Sequence, residues 1–134
     1  MQSEMKQAEL SLFERIGGTD NIRRLAKYFY RIMDVLPETY GLRKMHAANL
    51  QESEDKLYKF LNGWMDGPDL YEQEYGHPML LRRHMSFQVD IAARDQWLLC
   101  MDMALKEIVE DAQLRVELSD AFARVGDHLR NQPN

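Results

Sequence analysis

Five apolar side chains, Ile22, Leu25, Phe29, Ile32 and Met33, recur at short helical intervals between two breakers, the Gly17-Gly18 pair and Pro37. That spacing lays them along one stripe of an α-helix, whereas a half-buried strand would alternate at every second residue. The same signature returns three times. Leu57, Phe60, Leu61 and Trp64 form a stripe on a helix starting around residues 51–53. Trp97, Met101, Ala104, Leu105 and Ile108 share a face over about 90–109, and Leu114, Leu118, Phe122, Val125 and Leu129 over about 112–129. No segment sustains a period-two pattern of β-branched residues. The chain therefore predicts an all-α fold in which each helix buries one face.

Local signals place the joints. Ser11-Leu12-Phe13-Glu14 matches a capping box, so a short helix begins there and stops at Gly17-Gly18. Thr19 or Asp20 is expected to cap the long helix that follows, which runs to about Val35. Residues 37–49 contain Pro37 and Gly41 with little periodicity, and are expected to form a turn-rich link carrying Met45 and His46. Gly63 and then Gly67-Pro68 are expected to end the third helix, and a polar linker leads on through Gly76.

Size and charge narrow the function. A chain of 134 residues fits one domain, here residues 10–131 behind a polar arm of residues 1–9. A net charge of −5 argues against nucleic acid, whose phosphates select basic surfaces. No apolar run reaches the roughly 18 residues of a membrane span, and the first residues are too polar for a secretory leader. The single cysteine, Cys100, sits between Leu99 and Met101 and is expected to be a buried structural thiol. A cytoplasmic protein with neither nucleic acid nor membrane as partner is the expectation. Motifs for hydrolytic or phosphoryl-transfer chemistry are missing: there is no phosphate-binding glycine loop, no His pair at zinc spacing and no Cys-x-x-Cys.

One stretch stands apart from this ordinary helical background. Tyr71-Glu-Gln-Glu-Tyr75-Gly76-His77-Pro78 is followed by Arg82-Arg83-His84 and then Phe87. Pro78 suits the first turn of a short helix, on which Leu80, Leu81 and His84 share a face. Two readings fit these residues: a surface helix with an ordinary histidine, or an imidazole for haem iron with guanidinium groups for the propionates. Tyr30, His46 and Trp97 are further polar tips on apolar faces, each able to donate to a bound ligand inside an apolar pocket.

Taken in order, Phe29-Tyr30, Lys56-Leu57, Phe60-Leu61, Gly67-Pro68, Tyr71, Gly76-His77-Pro78, Arg83-His84, Phe87, Arg94-Asp95-Gln96-Trp97-Leu98 and Cys100-Met101 resemble the second group of truncated haemoglobins. The resemblance spans about residues 10–130 and implies the shortened globin fold, a two-over-two helical sandwich around haem b. It implies His84 as the proximal iron ligand and Lys56 and Arg83 as partners of the propionates. Leu57, Phe60, Phe87 and Trp97 are implied to line the haem, with Tyr30, His46, Trp97 and Ser53 on the distal side stabilising the bound ligand. His77 falls in a structural turn. The ligand implied is O2, or CO, NO or another small diatomic, for oxygen binding or transport. An alternative is detoxification of nitric oxide, peroxide or peroxynitrite with electrons from a separate reductase, or ligand sensing. A monomer or weak homodimer is expected.

Two departures from the family's pattern carry expectations of their own. Met65-Asp66-Gly67-Pro68 stands where the family often has paired glycines before the proline, which leaves the shape of the following loop open. Ala47 follows His46 where the family often has proline, so the link is expected to be looser.

Overall fold

A computed structural model of the protein describes residues 10–75 and 90–129. The polar arm, the Gly-His-Pro turn, Arg83, His84 and Phe87 lie outside the described residues, as does the side chain of His128. Seven α-helices occur in the described part: α1 Leu12–Ile16, α2 Thr19–Val35, α3 Tyr40–Lys44, α4 Gln51–Trp64, α5 Leu70–Tyr75, α6 Ile91–Ile108 and α7 Ala112–Leu129. A 3-10 turn, Pro37–Thr39, joins α2 to α3. The described residues contain no strand and no helix long and apolar enough to cross a membrane.

The ends of α1 and α2 follow from side-chain chemistry. The Ser11 hydroxyl accepts the Glu14 N–H at 3.2 Å, and the Glu14 carboxylate reaches back to the Ser11 N–H at 3.5 Å, completing the capping box. Gly17 closes α1 in the left-handed region at φ 105°. The next helix is not capped by Thr19 or Asp20, as the sequence suggests. Gly18, at φ 81°, takes the N-cap with no side-chain bond, so Thr19 is already helical and Asp20 favours the first turn by its charge. At α6, Asp90 is the cap, its carboxylate accepting the Ala93 N–H at 2.8 Å.

Stretches expected to be irregular are partly helical. Residues 40–44 form α3, anchored by buried Leu42, and residues 70–75 form α5, anchored by buried Tyr71. The Thr39 hydroxyl donates within α2's last turn, toward the carbonyls of Met33 and Leu36, which seats the 3-10 turn against that helix. Gly63 does not end α4. It lies inside the helix, where a side chain would meet the backbone of Asp69.

α4 closes instead at Met65, and Asp66 takes the positive φ, 68°, at the position where paired glycines would be at ease. Gly67 then donates its N–H to the Asn62 carbonyl at 2.7 Å. A Cβ there would run into the Phe13 ring, whose Cγ lies 2.8 Å from its position. Phe13 also donates its N–H to the Met65 carbonyl at 2.8 Å, so α1 docks into the space that Gly67 leaves. Gly67→Ala is therefore expected to cost about 1–3 kcal/mol of stability, and urea unfolding of the variant checks it.

Helix α2 runs through the middle. Its stripe meets α6 on one side and α4 on the other, while α6 also packs on α7 and α4 on α5. Ile22, Leu25, Phe29 and Met33 are buried, with Leu61, Met101, Leu105, Leu114, Leu118 and Phe122 around them. Each large side chain withdrawn from water in this way contributes about 1.5–3 kcal/mol before the entropy of ordering is subtracted. The architecture is the two-on-two globin sandwich, read directly from which helices touch.

Candidate functional site

The stripe of α2 does more than fill the core, because Phe29 organises the rings beside it. Its ring lies edge-on to Tyr30 at 4.9 Å and to Trp97 of α6 at 5.5 Å. Trp97 in turn meets Phe122 of α7 at 5.8 Å, and Phe122 stacks on Trp64 of α4 at 4.6 Å. One chain of aromatic contacts therefore fixes Trp97 from behind through two helices.

Tyr30 is buried at 9% exposure, deeper than its place at the margin of the α2 stripe suggests. Burial raises the pKa of its hydroxyl well above the ordinary phenol range, and the negative charge of Glu54 on α4, then the Cys100 thiol, push it the same way. The hydroxyl stays protonated and so remains a donor at any physiological pH. Cys100 is fully buried as expected; burial pushes its thiol up to about 11, with the neighbouring Thr39 hydroxyl pulling in the opposite direction. It is a neutral packing group behind Tyr30.

His46 meets Tyr30 from the link, with ring centroids 5.9 Å apart at an angle of 71°. Its Nδ1 lies 2.9 Å from the Leu42 carbonyl. A carbonyl only accepts, so Nδ1 carries a proton and donates it there. The link itself is not loose. Arg43 donates from Nε to Asp34 at 2.9 Å, from Nη1 to the Ala47 carbonyl at 2.9 Å and from Nη2 to the Ala48 carbonyl at 2.8 Å. Leu42 N–H donates to Gln96 Oε1 at 2.8 Å, which ties α3 to α6 one residue before Trp97.

The remaining named residues lie on α4. Ser53 is half-buried in the first turn, beside the Glu54 that acts on Tyr30. Leu57 packs against the core cluster. Phe60 turns toward α5, 6.3 Å from the Tyr71 ring. The Lys56 ammonium sits at the surface, 3.1 Å from the Glu52 carboxylate one turn earlier. Tyr30, His46 and Trp97 are thus gathered around Phe29 from α2, the link and α6, while Lys56 and Phe60 sit further along α4. Arg43 and Gln96 were missed by sequence reasoning, since their partners are backbone groups or a residue distant in sequence.

This donor set suits a haem. A buried phenol, an indole and an imidazole lie among apolar side chains, with Leu57, Leu50 and Met45 packed against the same core. Among the described residues no group of three or more His, Cys, Asp or Glu could hold a bare metal ion. A haem needs only one axial side chain from the protein.

A helical sandwich with such a wall defines a globin. Residues 11–131 match the bacterial-like globin family. The group 2 truncated haemoglobin of Bacillus subtilis is 30% identical over 115 residues, covering 86% of this chain and 85% of that protein. Among solved structures, a group II 2-on-2 haemoglobin from Agrobacterium tumefaciens superposes with a TM-score of 0.89 at 42% identity, covering 92% of this chain and 95% of that one. A cold-adapted truncated haemoglobin from Pseudoalteromonas haloplanktis TAC125 gives 0.90 at 36% identity, covering 92% and 99%. The chain belongs to the bacterial-like globin family, on its group II truncated, two-on-two branch. Membership carries haem-based binding of small gaseous ligands as the general chemistry of the fold.

Proposed function

We propose that this chain binds haem b and holds O2, or CO or NO in its place, through donors on the Tyr30–Trp97 wall. His84 serves as the proximal ligand, Arg83 and Lys56 face the propionates, and Leu57, Phe60, Phe87 and Trp97 line the ring. The burial of the one cysteine in the core supports a haem held without a thioether bond. When bound, haem supplies an iron that shifts electron density onto a diatomic ligand.

The protein's part is to meet that density with fixed donors. The observation that carries this reading is Tyr30: a buried hydroxyl held protonated, braced by Phe29 together with Trp97. Donors pre-set in a low-dielectric wall stabilise developing negative charge without having to reorganise. Trp97 presents an indole N–H that has no other ionisation state to adopt. Ser53, in the first turn of α4, and Leu57, packed against the core one turn further on, complete the proposed distal side. The redox alternative draws its electrons from a separate reductase, and no feature of the described residues favours it over ligand binding.

The test has two stages. The purified chain, reduced under CO, is expected to show a strong haem band with the shifted peak of a CO adduct; a chain that stays colourless after haem is added defeats the reading. Trp97→Phe is then expected to raise the O2 dissociation rate about tenfold to a hundredfold, the range for one hydrogen bond to a charged acceptor. Stopped-flow mixing with excess CO measures it, and an unchanged rate removes Trp97 from the donor set.

A further inference from the structure

We infer that Gln96 is a positioning residue for the distal side: its side-chain carbonyl fixes α3 against α6 and so sets where the His46 ring stands relative to Tyr30 and Trp97. The inference rests on the haem reading for what that placement serves, and on the α3–α6 contact for its content.

The N–H groups in the first turn of a helix lack partners within it, and a side chain at the N-cap commonly supplies one. α3 has no such cap. Its N-cap residue is Thr39, whose side chain makes no capping bond. The Thr39 hydroxyl is turned back instead toward the carbonyls of Met33 and Leu36, at 3.1 and 3.0 Å. The acceptor for α3 comes from another helix. Gln96 Oε1 takes the Leu42 N–H at 2.8 Å, from 54 positions away in sequence, in a partly buried setting. A backbone N–H only donates, so the oxygen of the amide, not its nitrogen, faces α3. Gly41 leaves the space for it: a Cβ there would crowd the amide, 3.3 Å from both Oε1 and Nε2.

This bond reaches the site from both of its ends. Leu42 is buried, and the residue whose N–H meets Gln96 also offers its carbonyl to His46 Nδ1 at 2.9 Å. His46 stands 5.9 Å from the Tyr30 ring. At the other end, Gln96 directly precedes Trp97, which Phe29 braces edge-on at 5.5 Å. A helix of five residues holds little order by itself. Burial of Leu42 keeps α3 on the core, but apolar contact is non-directional and does not choose a register along α6. The directional bond to Gln96 does. Sliding α3 along α6 would move His46 against Tyr30 while Trp97 stayed with its own helix, so one amide governs the spacing of all three.

Two substitutions separate the acceptor from the volume. Gln96→Met keeps the length of the side chain and removes the acceptor, whereas Gln96→Glu keeps an oxygen in reach of the Leu42 N–H. In the CO-bound protein, Gln96→Met is expected to speed hydrogen exchange of the Leu42 amide about threefold to tenfold, as for one hydrogen bond lost. It is also expected to move the His46 ring 15N signals and to shift or split the C–O stretching band. Gln96→Glu is expected to restore all three readouts. A Gln96→Met variant with a lower urea midpoint but the intact protein's ring signals and C–O band would give Gln96 a role in stability only, and overturns the inference. So does a Gln96→Glu variant that behaves like Gln96→Met. Should Gln96→Met not fold, Gln96→Asn, whose amide is one carbon short of Leu42, is read in the same way with the same outcomes. A chain that takes up no haem defeats the proposed function instead, and the inference is then decided on the Leu42 amide and His46 ring signals of the haem-free chain.

Discussion

Replacing His84 with alanine is expected to lower haem affinity by more than about a hundredfold, because even losing an outer-shell partner of a metal ligand costs about 10- to 100-fold. His46 has Nδ1 committed to the Leu42 carbonyl and lies on the wall of Tyr30, the ligand-facing side. His77 belongs to the Gly-His-Pro turn, and His128 stands near the end of the last helix, far in sequence from any other site residue. His84 alone follows an arginine on a predicted short helix with Leu80 and Leu81 on its face. Titration of the haem-free chain with haem, followed by reduction under CO, measures the effect. Imidazole added to the buffer is expected to restore part of the ferrous spectrum in His84→Ala, and His77→Ala is expected to bind haem like the intact chain. Equal loss in both variants would mean that His84 acts through folding of its segment rather than at the iron.

The fold was readable because long helices complete several turns. The stripes of α2, α4, α6 and α7 each repeat enough to exclude a strand, and their observed spans differ from the expected ones by a residue or two. α3 and α5, with five and six residues, complete less than two turns, so no periodicity could announce them. Their anchors, Leu42 and Tyr71, are single buried side chains, which look the same in a loop. The cap of α2 was misassigned for a related reason. Thr19 and Asp20 are good capping residues, and only the backbone angle of Gly18 shows that the helix has already begun at Thr19.

The site divides along similar lines. The order of Tyr30, Gly-His-Pro, Arg-His and Arg-Asp-Gln-Trp was visible as a resemblance, and it brought the haem reading with it. Spacing alone could not show that Tyr30 and Trp97 share Phe29 as a brace, because that contact joins residues 67 or more positions apart in sequence. Nor could it reveal that His46 Nδ1 meets a carbonyl four residues back. Ala47 read as a loosening of the link because the stabilising group was sought at the same position. The compensation comes from Arg43, whose bonds to two backbone carbonyls leave no mark on the pattern of residue types. Asp66 is the parallel case in the α4–α5 turn: the backbone still takes its positive φ, at the cost of a non-glycine residue there.

Phe122→Ala is expected to cost about 3–5 kcal/mol of stability, a large share of the roughly 5–15 kcal/mol a domain of this kind holds. Phe122 is 2% exposed and touches both tryptophans: it stacks on Trp64 with the planes 22° apart and meets Trp97 edge-on at 67°. Removing the ring leaves a cavity bounded by two large, flat side chains on different helices. Neither can collapse into it without breaking its own packing, so relaxation recovers little of the loss. The same void lies directly behind Trp97, which then has Phe29 as its only remaining ring contact among those described. The variant is thus expected to couple two readouts: a lower urea midpoint at unchanged slope, and faster O2 release from whatever fraction stays folded and haem-loaded. Phe122→Leu, which keeps most of the volume, is expected to recover most of the stability while leaving Trp97 less firmly braced. Were Phe122→Ala to release O2 at the intact protein's rate, Trp97 would be held by Phe29 alone, and the aromatic relay from α4 through α7 would serve stability only.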